Sequence, residues 1–279
     1  MAHSGRRRSS STWPVPDSLV VDGLAALRGA VGSIFAAVGV FDGLHRGHGY
    51  LVRRLVRQAR LRDARPTVIT FDHHPDEIIR GVAPPLLLDP GERIARLSKA
   101  GVEVVVVVHF DDELRRTSYI DFVDALRARV RVAGFLMTAE SAFGHERRGT
   151  PESLGRLGVE RDFEVVVVEP LRIDGRSVSS SAIRAAIAGG DLRAAGHLLG
   201  RRVAVTGDVD PGSGRELTFG LPVALPPTGR YRAMVGPPIE IGAMSPRSVV
   251  RRTVSVGPAG VELDAAGPRG ARIRVAFTA

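Results

Sequence analysis

Between residues 34 and 200 the chain alternates short apolar runs with longer segments of helical periodicity. The runs are Ile34–Val40, Thr67–Phe71, Val102–Val108, Val132–Met137 and Phe163–Val168. Their brevity, near-continuity and richness in valine suit strands covered on both faces. Between them lie apolar stripes at helical spacing. Leu51, Val52, Leu55, Val56 and Ala59 form one, and Tyr119, Phe122, Val123 and Leu126 another. Ser118 precedes the second stripe as an N-cap, and Thr150 before Pro151 marks a further helix start. Such alternation predicts an α/β domain, a parallel sheet covered by helices.

The pattern changes near Gly200. Residues 201–279 are rich in Gly and Pro and alternate over short segments at Val203–Val205, Tyr231–Val235, Val249–Val256 and Ala271–Phe277, which predicts a small β-barrel or sandwich. The expected division is a disordered tail at 1–13, an α/β domain at 14–200 and a β domain at 201–279. The tail carries Arg6-Arg7-Arg8 and Ser9-Ser10-Ser11, but Asp17, Asp22 and Arg28 interrupt the apolar stretch behind it, so no signal-peptide core is expected.

Composition narrows the partners. Hydrophobic residues make up 44% of the 279 positions, enough for a sizeable core, and no run approaches the ~20 apolar residues of a membrane span. Cysteine is absent, which excludes disulfides and thiolate chemistry and fits a cytoplasmic setting. The net charge of +9 invites a nucleic-acid reading. Lys99, however, is the only lysine among 39 basic residues, the arginines are scattered, and aromatics amount to 5%, too few for stacking platforms. Small-molecule substrates are expected, with neither nucleic acid nor membrane as partner. Nothing in the pattern selects an oligomeric state.

The candidate chemistry lies at the run exits. Gly39-Val40-Phe41-Asp42-Gly43-Leu44-His45-Arg46-Gly47-His48 reads as a strand end, a glycine turn and a helix start. Residues three apart share a helix face, so His45 and His48 would sit together beside the free N–H groups of a helix N-terminus, where phosphates bind. Gly47 keeps the approach clear. Val178-Ser179-Ser180-Ser181-Ala182-Ile183-Arg184 follows the fifth run, and in a parallel sheet reaches the same end. Its serines suit a helix cap or a phosphate, and Arg184 a charge-assisted contact. Thr70-Phe71-Asp72-His73-His74-Pro75 leaves the second run and suits either substrate contact or, with His45 and His48, a metal phosphohydrolase site. A P-loop is excluded because Lys99 follows no such glycine loop.

These segments together, with Gly190-Asp191-Leu192 and Leu198-Leu199-Gly200-Arg201, resemble the bacterial FAD synthetases across residues 34–201. The resemblance implies a Rossmann-like nucleotidyltransferase domain that joins FMN to the AMP part of ATP, releasing pyrophosphate, with Mg2+ as cofactor and no resident metal site. By the same resemblance His45, His48 and Arg184 would be catalytic. Gly39, Phe41, Asp42, Gly43, Asp72, His74, Glu140, Ser179 and Ser180 would line the nucleotide and flavin sites.

Two segments depart from the family pattern. Met137-Thr138-Ala139-Glu140-Ser141-Ala142-Phe143-Gly144 has Glu140 and Ser141 where the family carries a shorter polar residue and an aromatic. Members often have a riboflavin kinase domain with Gly-Phe-Pro-Thr-Ala-Asn; here the run is Gly220-Leu221-Pro222-Val223-Ala224-Leu225. The expectation is a kinase-like barrel without kinase activity. The alternatives are an adenylyltransferase for another phosphate acceptor and a non-catalytic flavin- or nucleotide-binding protein.

Overall fold

The computed structural model describes residues 18–27, 31–240 and 249–278; the expected tail at 1–13 lies outside the described residues. One sheet contains β1 (Leu19–Asp22), β2 (Ser33–Val38), β3 (Arg65–Phe71), β4 (Val104–Val108), β5 (Arg131–Met137) and β6 (Glu164–Val167). All neighbours are parallel, in the order β1-β4-β3-β2-β5-β6. Connections run one way from β2 through β3 to β4 and the other way through β5 to β6. The β2–β5 seam is therefore a topological switch point, the usual ligand crevice of an open α/β sheet. Five strands coincide with the apolar runs. Edge strand β1 was not anticipated, because it has only four residues and leaves Leu19 and Val20 exposed.

Alternate residues of each strand serve opposite faces. Phe35 and Ala37 pack with Val52, Leu55 and Ala59 of α1 (Arg46–Arg60). Ile34 and Ala36 share a second cluster with residues of two later helices. Elements on the way to those helices are α2 (Pro75–Arg80), α3 (Pro90–Lys99) and α4 (Asp112–Arg116). The two helices are α5 (Tyr119–Arg127), supplying Phe122 and Leu126, and α6 (Pro151–Arg161), supplying Leu154. Ser118 caps α5 and Thr150 caps α6 through a reciprocal pairing with Ser153, as their sequence positions suggested.

After a ribbon of β7 (Arg172–Ile173) and β8 (Arg176–Ser177) come α7 (Ser180–Ala188) and α8 (Leu192–Leu199). A closed antiparallel barrel follows, built from β9 (Ala204–Val209), β10 (Glu216–Thr218), β11 (Gly229–Gly236), β12 (Val250–Gly257), β13 (Gly260–Leu263) and β14 (Arg272–Thr278). The two shortest strands, β10 and β13, carry too few alternating positions to stand out in sequence.

The hydrophobic cores do not divide at Gly200. Ile183 and Ile187 of α7 and Leu199 of α8 are buried in one cluster with Val205, Val275 and Phe277 of the barrel. The helix bearing Ser180 and Arg184 thus leans on the barrel. Polar contacts lock the seam. Buried Glu92 accepts from Thr206 at 2.6 Å and pairs with Arg274 at 3.2 Å, while Arg272 spans Asp89 and Asp208. Leu86 hydrogen bonds through its backbone to Pro222 and Ala224.

Candidate active site

The turn after β2 is strained and heavily tied. Phe41 and Leu44 both hold positive φ, of 52° and 36°. For residues with side chains such angles cost on the order of 1–3 kcal/mol each and persist only where the surroundings enforce them. Gly43 at φ 76° is needed on two counts, because a Cβ there would also lie 2.9 Å from Leu87. The enforcing contacts come from distant segments. Asp42 is buried, and its carboxylate accepts from Leu87 N at 3.0 and 3.1 Å and pairs with Arg184 at 2.6 Å. Ser180 Oγ donates to Asp42 O at 3.1 Å. Arg201 donates to Gly43 O and Leu44 O, and Arg93 spans Val40 O and Phe71 O.

This frame presents two histidines. His45 is the N-cap of α1, its Nδ1 accepting from His48 N at 3.3 Å. The His45 and His48 rings stack with centroids 3.7 Å apart and a 16° interplanar angle, the face-sharing expected from their spacing. Burial, reinforced by the Arg201 charge, pushes His45 down to about 4. Burial, then His45, holds His48 well below the ordinary imidazole range. Both rings are therefore neutral near pH 7. Because His45 Nδ1 is an acceptor, its proton resides on Nε2, making that atom a hydrogen-bond donor. His48 Nδ1 is buried and makes no hydrogen bond.

The pair opens into a cleft of about 360 Å3 at the β2–β5 switch point. Gly39, Phe41, Glu140, Ser179 and Ser180 line it as well, so the segments 39–48, 137–144 and 178–184 converge there. A Cβ on Gly47 would come 3.1 Å from the His45 ring and 3.4 Å from Val178 O. Glu169, which no motif singled out, adds a second carboxylate. Ser141 turns back on its own loop, bonding Thr138 N at 3.1 Å and Thr138 Oγ1 at 2.8 Å.

Other expected residues sit differently. Arg184 lies behind the cleft wall rather than on it, its guanidinium committed to Asp42 and to Pro85 O. Asp42 and Gly43 are likewise framework. Asp72 and His74 line a separate pocket of about 220 Å3 with Arg93, joined to the cleft through Val40. Burial lowers His74, and its Nδ1 caps α2 by accepting from Asp76 N. The grouping of His45 and His48 with His73 and His74 needed for a metal phosphohydrolase does not form. Among the described residues the metal-capable group is Asp72, His73 and His109.

Beside the cleft, and sharing Val38 with it, is an apolar pocket of about 400 Å3. Phe71, Phe110, Phe122 and Phe143 give it aromatic walls, with Arg115 and Arg147 at its edge. Arg93, Arg201 and Phe110 were not singled out by role in the sequence. The available signal was an arginine on the buried side of amphipathic α3, and for Arg201 its place at the end of the family-like Leu198–Arg201 segment.

A family model for FAD synthetase matches residues 30–182. The chain belongs to the FAD synthetase family. The bifunctional riboflavin kinase/FMN adenylyltransferase of Pseudomonas fluorescens is 31% identical over 225 residues, 77% of this chain and 72% of that protein. Its counterpart in Escherichia coli K12 is 32% identical over 195 residues, 69% of this chain and 62% of that one. A crystal structure from Streptococcus pneumoniae described as a macrolide-efflux protein superposes with a TM-score of 0.75 at 25% identity, covering 93% of this chain and 98% of that one. The family match ends at residue 182, inside α7, so the segments converging on the cleft fall almost wholly within it. No helix among the described residues is long and apolar enough to cross a membrane.

Proposed function

We propose that the cleft at the β2–β5 switch point joins the phosphate of FMN to the α-phosphate of ATP. Family membership makes the chain an FMN adenylyltransferase; the assignment of residues to roles rests on the geometry. The carrying observation is the stacked histidine pair at a helix N-terminus, lining a cleft that shares Val38 with an aromatic pocket. An FMN phosphate oxygen attacks the α-phosphorus, the bond from that phosphorus to the bridging oxygen breaks, and FAD and pyrophosphate leave. His45 Nε2–H donates to an α-phosphate oxygen as charge moves across the phosphorus, and His48 stands beside it. Being neutral, the pair costs no charge–charge repulsion in the empty site.

Ser179 and the free N–H groups opening α7 face the departing pyrophosphate. Ser180 and Arg184 act through Asp42, holding the turn that carries the histidines. The flavin ring occupies the aromatic pocket, with its phosphate reaching past Val38 into the cleft. Mg2+ fits the donor set, because Glu140 and Glu169 offer oxygen ligands beside the phosphates whereas the Asp42 carboxylate is fully engaged. When bound, it neutralises phosphate charge. The working partners are ATP and FMN. The barrel supplies no riboflavin kinase activity, because Gly220–Leu225 lacks hydroxyl and amide side chains and packs against Leu86.

The test is incubation with ATP, Mg2+ and FMN, following FAD and pyrophosphate, repeated with His48→Ala. The variant should be slower by on the order of 100-fold while melting as a folded protein. No FAD from the parent chain sinks the proposal, and an unimpaired variant sinks the histidine's role.

A further inference from the structure

A second cluster of imidazoles lies outside the histidine pair. Asp72 leaves β3 and His109 leaves β4, so neighbouring strands place them together. Asp72 Oδ1 is anchored by two backbone donors, His73 N at 2.7 Å and Phe110 N at 3.1 Å. That leaves Oδ2 facing two imidazole nitrogens, His109 Nδ1 at 2.5 Å and His73 Nδ1 at 3.1 Å. All three potential ligand atoms lie within 4.8 Å of one another. In a tetrahedral zinc site, bonds of about 2.0–2.1 Å put neighbouring ligand atoms roughly 3.3 Å apart, inside the 4.8 Å that bounds these three. The rings meet edge to face at 83°, with centroids 5.9 Å apart.

The surroundings suit a cation better than a structural hydrogen bond. The His73 and His109 side chains are 41% and 66% exposed, and neither ring makes another hydrogen bond or ion pair within the described residues. Two rings are thus directed at one carboxylate oxygen. Solvent reaches the group directly, leaving room for water as a fourth ligand. The carboxylate is already held in place by Phe110 N and His73 N, as ligating carboxylates commonly are.

We propose that Asp72, His73 and His109 bind a divalent transition metal of the zinc class, separate from the Mg2+ that accompanies ATP. Two imidazoles and one carboxylate favour such an ion over Mg2+, which prefers oxygen ligands. The bound ion ties the exits of β3 and β4 together. Phe71 precedes Asp72 and Phe110 follows His109, so the tie holds two walls of the aromatic pocket at a fixed spacing.

The test uses the full chain, stripped with a chelator and titrated calorimetrically with Zn2+ in excess Mg2+. The parent should take up one Zn2+ per chain at this site. His73→Ala and His109→Ala should each weaken that binding by on the order of tenfold or more, with thermal melts confirming that both fold. Glutamine replacements serve if either alanine variant fails to fold. Absence of zinc uptake by the parent, displacement by Mg2+, or equal affinity in parent and variants overturns the proposal. Because the readout is binding, the outcome stands whether or not the chain makes FAD.

Discussion

Residues 39–48 and residues 216–225 share an outline, a strand exit followed by a glycine-bearing turn, yet they use their polar groups in opposite ways. In the first, distant segments satisfy the backbone carbonyls and the Asp42 carboxylate, so the His45 and His48 rings are left to face the cleft. In the second, Pro222 O and Ala224 N are used up on Leu86, while Val223 and Leu225 pack against the barrel core. One turn is strained, braced and open. The other is relaxed against protein and closed. A site for phosphate chemistry needs donors that the fold has not already spent, and only the first turn has them. The second turn braces the loop whose Leu87 N–H holds Asp42.

The comparison breaks most readily at Asp42. Replacing it by alanine strands the Arg184 guanidinium and Leu87 N–H in a buried setting. A loss of about 3–5 kcal/mol of unfolding free energy is expected by denaturant titration, with FAD synthesis falling alongside. Stability within 1 kcal/mol of the parent, on the same scale, would mean that the turn does not depend on this brace.

Next in size is a pH effect. His45 titrates at about 4 in the folded chain against an ordinary 6.5, and His48 is shifted in the same direction. The unfolded chain therefore takes up protons first. The stability from neutral burial is complete above about pH 6.5 and declines as pH falls through 4, by about 3 kcal/mol for His45 alone. Melting temperatures between pH 7.5 and 4 should record the decline. His45→Asn, which keeps an N-cap acceptor, should flatten it. An equally steep profile in that variant would place the titration elsewhere.

Smaller effects sharpen the division of labour. Phe143→Ala should raise the KM for FMN roughly tenfold, the loss of one aromatic wall at about 1.4 kcal/mol, and leave that for ATP within about twofold. Equal shifts for both substrates would argue that the aromatic pocket is not the flavin site. The smallest signal belongs to the barrel: riboflavin with ATP should give no FMN above a protein-free control, and measurable turnover would reverse the reading of Gly220–Leu225.

The legible parts of the molecule are those governed by local periodicity. Five sheet strands, the caps at Ser118, Thr150 and Ser179, and the meeting of His45 with His48 all follow from spacings of a few residues. Short strands escaped because β1, β10 and β13 have too few residues to show a pattern. The arginines escaped for a different reason. Arg184, Arg93 and Arg201 carry no local mark of where their guanidinium groups end, and Arg184 reaches Asp42 across 142 positions of sequence. The motif points to a phosphate ligand at Arg184, and in the structure its guanidinium bonds Asp42 and Pro85 O.

The sequence by itself therefore determined the two architectures, the helix starts and the histidine pair, since each arises from side chains within a turn or two of one another. Tertiary structure decided the rest. It placed β2 beside β5 to open the crevice, leaned α7 on the barrel, buried Asp42 against Leu87, and gathered His109 with Asp72 and His73. The physical reason is the same in each case. A buried charge or an unspent donor is defined by partners supplied from remote segments, and no window of sequence contains both halves of the contact.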